Sequence, residues 1–156
     1  MDLQALQTQA ETEGAFCVVG GLIVNNRGRV FVQKRSPERR LFPGCWDIAG
    51  GHVEPGETLF EALAREIKEE TGWQLVEIKT VVDIFDWEEA VEGQVIKNRE
   101  FDFLVTVRGD LDQPQIEGEK FTEFRWVGEE DVEILKENRL VDDTLIFELV
   151  RKALAL

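Results

Sequence analysis

Histidine occurs once in this chain of 156 residues, as His52, and cysteine twice, as Cys17 and Cys45. A lone histidine excludes a multi-histidine metal site and leaves any Ser-His triad dependent on one residue. Cys17 sits in an apolar run and Cys45 in a Pro-Gly loop, without the paired spacing of a zinc or redox site, and two unpaired thiols suit a reducing cytosol. No apolar run nears the roughly 20 residues that span a bilayer. The opening MDLQALQTQAETEG lacks the basic start and apolar middle of a signal peptide, so the expectation is a soluble, cytoplasmic protein with no membrane partner. Positive charge is scarce as well: 18 Lys and Arg stand against 32 Asp and Glu, a net charge of −14. That field repels duplex nucleic acid and anionic membranes. A phosphate site in such a chain needs its acid excess offset locally, most simply by divalent cations.

What the chain does contain is enough apolar material, 43% of residues, to bury one core. Without an internal repeat, low-complexity tract or linker, residues 1–156 read as a single domain, with 1–13 a tail or short helix that Gly14 ends. AFCVVGGLIV and RVFVQKR, separated by the turn signal of Asn25 to Gly28, read as a hairpin. A loop carrying Arg39 and Arg40 follows, with Arg35 at its mouth, then a short apolar piece at Trp46 to Ala49 and the break at Gly50 and Gly51. Thr58 to Thr71 has the pattern of a helix closed by Gly72. Leu75 to Trp87 and Val95 to Val107 read as long strands joined by EEAVEG, and Thr122 to Val127 as another strand. Glu129 to Glu137 and Asp142 to Leu154 have helical periodicity. Strands, helix, strands, helices in that order predict an α/β fold, a mixed sheet sandwiched between helices, not a series of βαβ units.

The helix from Thr58 to Thr71 contradicts its own pattern. Wound at about 100° per residue from Leu59, its apolar stripe of Leu59, Ala62, Leu63 and Ile67 centres near 20°, and Glu66 (about 340°) and Glu70 (about 20°) fall inside it, with Glu69 at its edge. Lys68 and Glu61 take the solvent side. An ionised carboxylate on a core face must be hydrogen-bonded, neutralised or coordinated. Three acids at i, i+3 and i+4 repel one another unless something positive lies among them, and Mg²⁺ or Mn²⁺, which favour oxygen ligands, answers that demand. The plainer reading is an acidic helix face in solvent, laced by Glu61 with Arg65 and Arg65 with Glu69. The loop ahead of the helix weighs against it: Gly50, Gly51, Pro55 and Gly56 let backbone amides and carbonyls approach a ligand closely and feed straight into the helix start.

These residues resemble the Nudix hydrolases. That family's signature is a glycine, five residues, a glutamate, seven residues, Arg-Glu, an apolar residue, any residue, Glu-Glu, any residue, Gly and an apolar residue. Here Gly51 is followed by HVEPG, Glu57, TLFEALA, then Arg65, Glu66, Ile67, Lys68, Glu69, Glu70, Thr71, Gly72 and Trp73. Every fixed position matches; Trp73 stands where an aliphatic residue is more usual. More loosely, Val30 to Arg35, the approach PGCWDIAGGHVEPGE and the late segment FRWVGEEDV are similar to the family's chain. The resemblance implies the Nudix α/β/α sandwich and a water attack on the pyrophosphate of a nucleoside diphosphate linked to another group. It implies Glu66, Glu69 and Glu70 as ligands of Mg²⁺ or Mn²⁺, a carbonyl of Gly50 or Gly51 completing the shell, and Glu57 with Arg65 as a bracing pair.

The resemblance leaves the general base open between a box glutamate and a later loop acid, Glu117 or Glu119, with Glu119 preferred for its place ahead of Trp126. Arg35 and Arg39, or Arg40, are candidates to pin substrate phosphates. Phe85, Trp87, Phe101 and Phe103 can stack on a base or pack the core, and core packing is the expected job for most. Trp46 is expected to anchor packing, and His52 to be a neutral loop residue or a support of the site. The expected substrate is a small-molecule nucleotide, a (deoxy)nucleoside triphosphate or modified nucleotide; nucleotide sugars and dinucleoside polyphosphates are the alternatives. Isopentenyl diphosphate isomerases share the approach to the box but use a histidine-rich site that one histidine does not supply. A nucleotide-sensing module without catalysis is the reading from another class, and its expected mark, a lost metal glutamate, is absent. Action on RNA ends conflicts with the net charge. A homodimer through the long strands 75 to 107 remains open.

Overall fold

The apolar run after Gly14 forms β1 (Phe16–Ile23), which the computed structural model, covering residues 1–156, places in the interior of a four-stranded sheet. Its order is β4 (Ala49–His52), β1, β6 (Gln94–Arg108), β5 (Gln74–Val91), with β1 parallel to β6 and the other pairs antiparallel. β2 (Val30–Arg35), β3 (Trp46–Asp47) and β7 (Phe121–Val127) make a second, antiparallel sheet in the order β3-β2-β7. The expected hairpin between β1 and β2 is therefore not formed; only Val24 and Val30 bridge them. Both edges of β1 are taken by β4 and β6, and a continuous apolar run is the mark of a strand covered on both faces.

The β5–β6 hairpin runs further than its sequence suggests. Glu88 to Val91 of the expected EEAVEG turn belong to β5, and the reversal is made by Glu92 and Gly93 alone, both left-handed at φ 50° and 80°. A two-residue turn with positive φ at both positions follows the right-handed twist of the strands.

Helices cover both sides. α1 (Leu3–Thr12), capped by the Asp2 side chain on the Ala5 amide, and α2 (Leu59–Thr71) pack Leu59, Ala62, Leu63 and Ile67 against Val19, Ile23, Phe101, Phe103 and Val105. On the other side Ile146, Leu149, Val150 and Ala153 of α3 (Leu145–Leu154) meet Leu22, Val30, Val32 and Trp46. The result is the expected α/β/α arrangement with its middle layer divided into two sheets. The helix expected over Glu129 to Glu137 shortens to a 3₁₀ turn at Val132–Lys136, and α3 begins at Leu145, not Asp142. No helix is long and apolar enough to cross a membrane.

Alternation along β1 sorts its side chains, and those of β6 beside it, between two faces. Val19 and Ile23 face α2, while Val18, Gly20 and Leu22 face the opposite way, towards the second sheet, as do Glu100, Asp102 and Leu104 on β6.

Candidate active site

α2 is held at both ends by its own sequence. Thr58 accepts from the Glu61 amide while Glu61 reaches back to the Thr58 amide, and Gly72 closes the helix in the left-handed region at φ 80°. Such a box contributes about 1 kcal/mol. The loop from Gly51 does fold back: Arg65 grips Glu57 with two bonds, Nε to Oε2 at 2.7 Å and Nη2 to Oε1 at 3.0 Å. Arg65 also donates to the His52 carbonyl at 3.1 Å and to Glu66 Oε1 at 2.8 Å. The Arg65 guanidinium holds the Glu57 carboxyl below its usual range. α1 joins the brace, because buried Gln7 donates to the Glu57 carbonyl at 2.8 Å. The expected bracing pair thus ties the loop, α1 and the helix into one piece.

The three box acids differ in the order the helical wheel predicts. Glu70 is 4% exposed; its Oε1 accepts from the Gly50 amide at 2.9 Å and from Gln33 at 3.1 Å. Burial pushes its carboxyl well up, and the negative charges of Glu66, Asp47 and Glu117 add to that. Glu66 is raised by burial too, with Arg65 opposing and Glu69 reinforcing. Glu69 is half in solvent and pairs only with Arg65, at 3.4 Å. Gly51 is required here by space: a Cβ would sit 2.5 Å from Glu66 Oε1, and one at Gly50 would run into the Val19 carbonyl.

The loop after β6 divides the two candidate bases. Glu119 is exposed and makes no bond, whereas Glu117 is half-buried and close enough to Glu70 to raise its pKa. Glu117 Oε1 is buried without a hydrogen bond, with Lys120 Nζ at 3.8 Å. Of the two loop acids, Glu117 is the one that lies beside the box, and Glu119, the one preferred from the sequence, faces solvent. The loop is anchored by the Gln115 amide on the Thr71 carbonyl at 2.8 Å and by Trp73, whose Nε1 donates to the Asp110 carbonyl at 2.9 Å. Trp73 packs with Phe31 and Trp126, which explains an aromatic side chain at that position.

Glu66 and Glu70 open onto a cleft of about 490 Å³, within the usual range for a small-molecule site. Arg35, Arg39 and Lys120 line it. Arg35 is fixed by the Leu41 carbonyl at 2.8 Å and by Asp47 at 3.7 Å, and Arg39 lies over the Phe121 ring at 5.6 Å. Arg40 points elsewhere, to Glu89 at 2.9 Å. Phe85 and Trp87 line the cleft, while Phe101 and Phe103 are core residues, and Trp46 is buried with its Nε1 on Glu137.

The donor set suits a hard divalent cation. Glu66 and Glu70 are crowded with Glu117, whose buried oxygen lacks a donor, and carboxylate oxygens on a glycine-lined wall are the ligands Mg²⁺ and Mn²⁺ take. A family model described as NUDIX domain matches residues 17–149. The chain belongs to the Nudix hydrolases. The nucleoside triphosphatase NudI of Escherichia coli K12 is 33% identical over 113 residues, 70% of this chain and 80% of that one. An uncharacterized Nudix hydrolase of Nostoc is 44% identical over 66 residues, which span 42% of this chain and 39% of the Nostoc protein. The crystal structure of a MutT protein from Methanosarcina mazei superposes with a TM-score of 0.69 at 28% identity, over 88% of this chain and 94% of that one.

Several residues of this Nudix site are invisible in its sequence pattern. Gln33 lies on a strand and is fully buried under Glu70, and Glu89, 8% exposed on β5, binds His52, Arg40 and Asn98. His52 is thus a support of the loop through Glu89, at 3.2 Å. Glu100 and Arg139 also line the cleft, with Asp102 two residues along the same face of β6; no box contains them.

Proposed function

We propose that this Nudix hydrolase is a divalent-metal-dependent pyrophosphohydrolase of (deoxy)nucleoside triphosphates. The observation that carries the reading is the placement of Glu66 and Glu70 on the buried face of α2, raised by burial and mutual repulsion, beside a glycine wall and across a cleft from arginine and lysine. Glu66, Glu69, Glu70 and a carbonyl of Gly50 or Gly51 hold Mg²⁺ or Mn²⁺. When bound, the metal supplies charge neutralisation on phosphate oxygens and a lowered pKa for water. Arg65 keeps Glu66 and the loop in register, so the carboxylates do not have to be ordered when substrate arrives. Arg35, Arg39 and Lys120 take the phosphate oxygens by charge-assisted hydrogen bonds. Glu117, with an oxygen lacking a donor, accepts the proton of the attacking water. The aromatic half of the cleft, Phe42 and Trp87 with ring centroids 6.0 Å apart, takes the nucleoside.

The test is release of phosphate and pyrophosphate from a panel of nucleoside triphosphates, nucleotide sugars and dinucleoside polyphosphates, with Mg²⁺, Mn²⁺ or chelator. The expected result is metal-dependent conversion of triphosphates to monophosphate and pyrophosphate. Turnover confined to nucleotide sugars or dinucleoside polyphosphates would overturn the substrate class, and turnover undiminished by chelator would overturn the metal role.

A further inference from the structure

Asp102 is fully buried, and no donor from the protein backbone or from a nitrogen-bearing side chain reaches either of its oxygens. Strand β1 makes room for it with Gly20, its register partner, where a Cβ would overlap Asp102 Oδ1 and crowd Ile48. An isolated buried carboxylate costs several kcal/mol, so burial favours its protonated form, and Glu100 stands two residues back on the same strand face. Burial, then the charge of Glu100, pushes Asp102 well up; burial pushes Glu100 up to about 7, and the bond from Asp102 draws it back down.

Glu100, unlike Asp102, reaches the cleft. Its Oε1 takes the Trp87 indole N–H at 3.1 Å, which fixes the carboxylate on the cleft side. Phe42 stands edge-on to Trp87, making an aromatic slot beside that carboxylate. Arg139, its side chain 4% exposed, lies 5.3 Å over the Phe42 ring and lines the same space; its Nη1 is held by Asp143 at 3.1 Å and its Nη2 by the Trp46 carbonyl at 2.7 Å, and its Nε–H has no partner. The slot therefore offers a fixed acceptor group with spare lone pairs and one cationic donor. Guanine alone among the common bases puts two N–H groups, N1–H and the 2-amino group, side by side with a carbonyl next to them. Cytosine and adenine present an amino group beside acceptor nitrogens, and thymine and uracil one N–H between two carbonyls.

We infer that Glu100 is the residue that reads the base, its carboxylate accepting from N1–H and the 2-amino group of a guanine-type base, with Arg139 on the carbonyl and Asp102 as the positioning residue behind it. The inference rests on the nucleotide reading of the cleft, and a binding measurement separates the two. Calorimetric titration of guanosine monophosphate and inosine monophosphate, which differ only in the 2-amino group, needs no hydrolysis. Wild type should bind the guanine nucleotide about tenfold more tightly, the worth of one charge-assisted bond. Glu100→Gln should bring the two within about twofold. Asp102→Asn, whose amide donates to Glu100 as the acid did, should keep the preference, and Asp102→Leu should lose most of it. Equal affinities in wild type, no measurable binding of either, or a preference surviving in Glu100→Gln would overturn the assignment. A guanine preference in a protein that hydrolyses no triphosphate would support Glu100 and sink the proposed reaction; triphosphate hydrolysis without that preference would do the reverse.

Discussion

Two groups of acids share this cleft, and they solve the same problem differently. On α2, Glu66, Glu69 and Glu70 crowd one helical turn with Arg65 as the only cation bound to them, and Glu70 relies on the Gly50 amide and Gln33. On β6, Glu100 and Asp102 rely on each other and on the Trp87 indole, and a glycine on the neighbouring strand leaves the space they need. Burial raises acids in both clusters, so burial alone does not mark a metal site: the first places Glu66 and Glu70 on an open cleft beside a glycine wall, and the second shuts Asp102 away behind Gly20 and Ile48.

That contrast can be broken by substitution. The largest effect is expected on α2: Glu66→Gln and Glu69→Gln should each lower kcat/KM for the preferred triphosphate by about 10³-fold or more, as loss of a charged ligand at the reacting centre does. Thermal stability should be unchanged or slightly higher, because fewer negative charges crowd the turn. A variant that keeps half of its turnover would place the metal elsewhere. Next, Gly20→Ala should cost about 1 to 3 kcal/mol through overpacking against Asp102 and Ile48, lowering the Tm by about 5 °C. An unchanged Tm would mean that β6 moves aside freely and Asp102 is not confined.

The smallest effect carries the sharpest sign. A carboxyl whose folded pKa is raised binds more protons folded than unfolded, so stability falls as pH rises from its unfolded pKa to its folded one. Asp102→Asn removes that loss. Its Tm should exceed that of wild type at pH 8, and the gap should shrink towards pH 5. A gap independent of pH would show that Asp102 does not hold a proton in the folded chain.

The same comparison explains what could be read in the sequence. On α2 the acids interrupt a period of 3.6, so Glu66 and Glu70 announce themselves on the apolar stripe, and the glycine loop and Arg65 lie within one continuous segment. On β6 the order Glu100, Phe101, Asp102, Phe103 is a regular alternation, which looks like a strand with one face in solvent. Only the second sheet, packed over that face, turns ordinary surface acids into buried ones. The β1–β2 hairpin failed for a related reason: a turn signal shows that the chain reverses but not that its flanking strands pair. Glu119 and Glu117 are two residues apart in a loop, and their difference depends on how Gln115 and Trp73 anchor it at the end of α2, a contact that no local pattern records.

The central claim is that the α2 carboxylates hold a divalent cation. Titration of Mn²⁺ into wild type and into Glu69→Gln, with the free ion followed by electron paramagnetic resonance, tests it without any substrate. The account predicts saturable binding to wild type and an affinity about 10- to 100-fold weaker in the variant. Equal binding by the two proteins, or none by wild type, would contradict it.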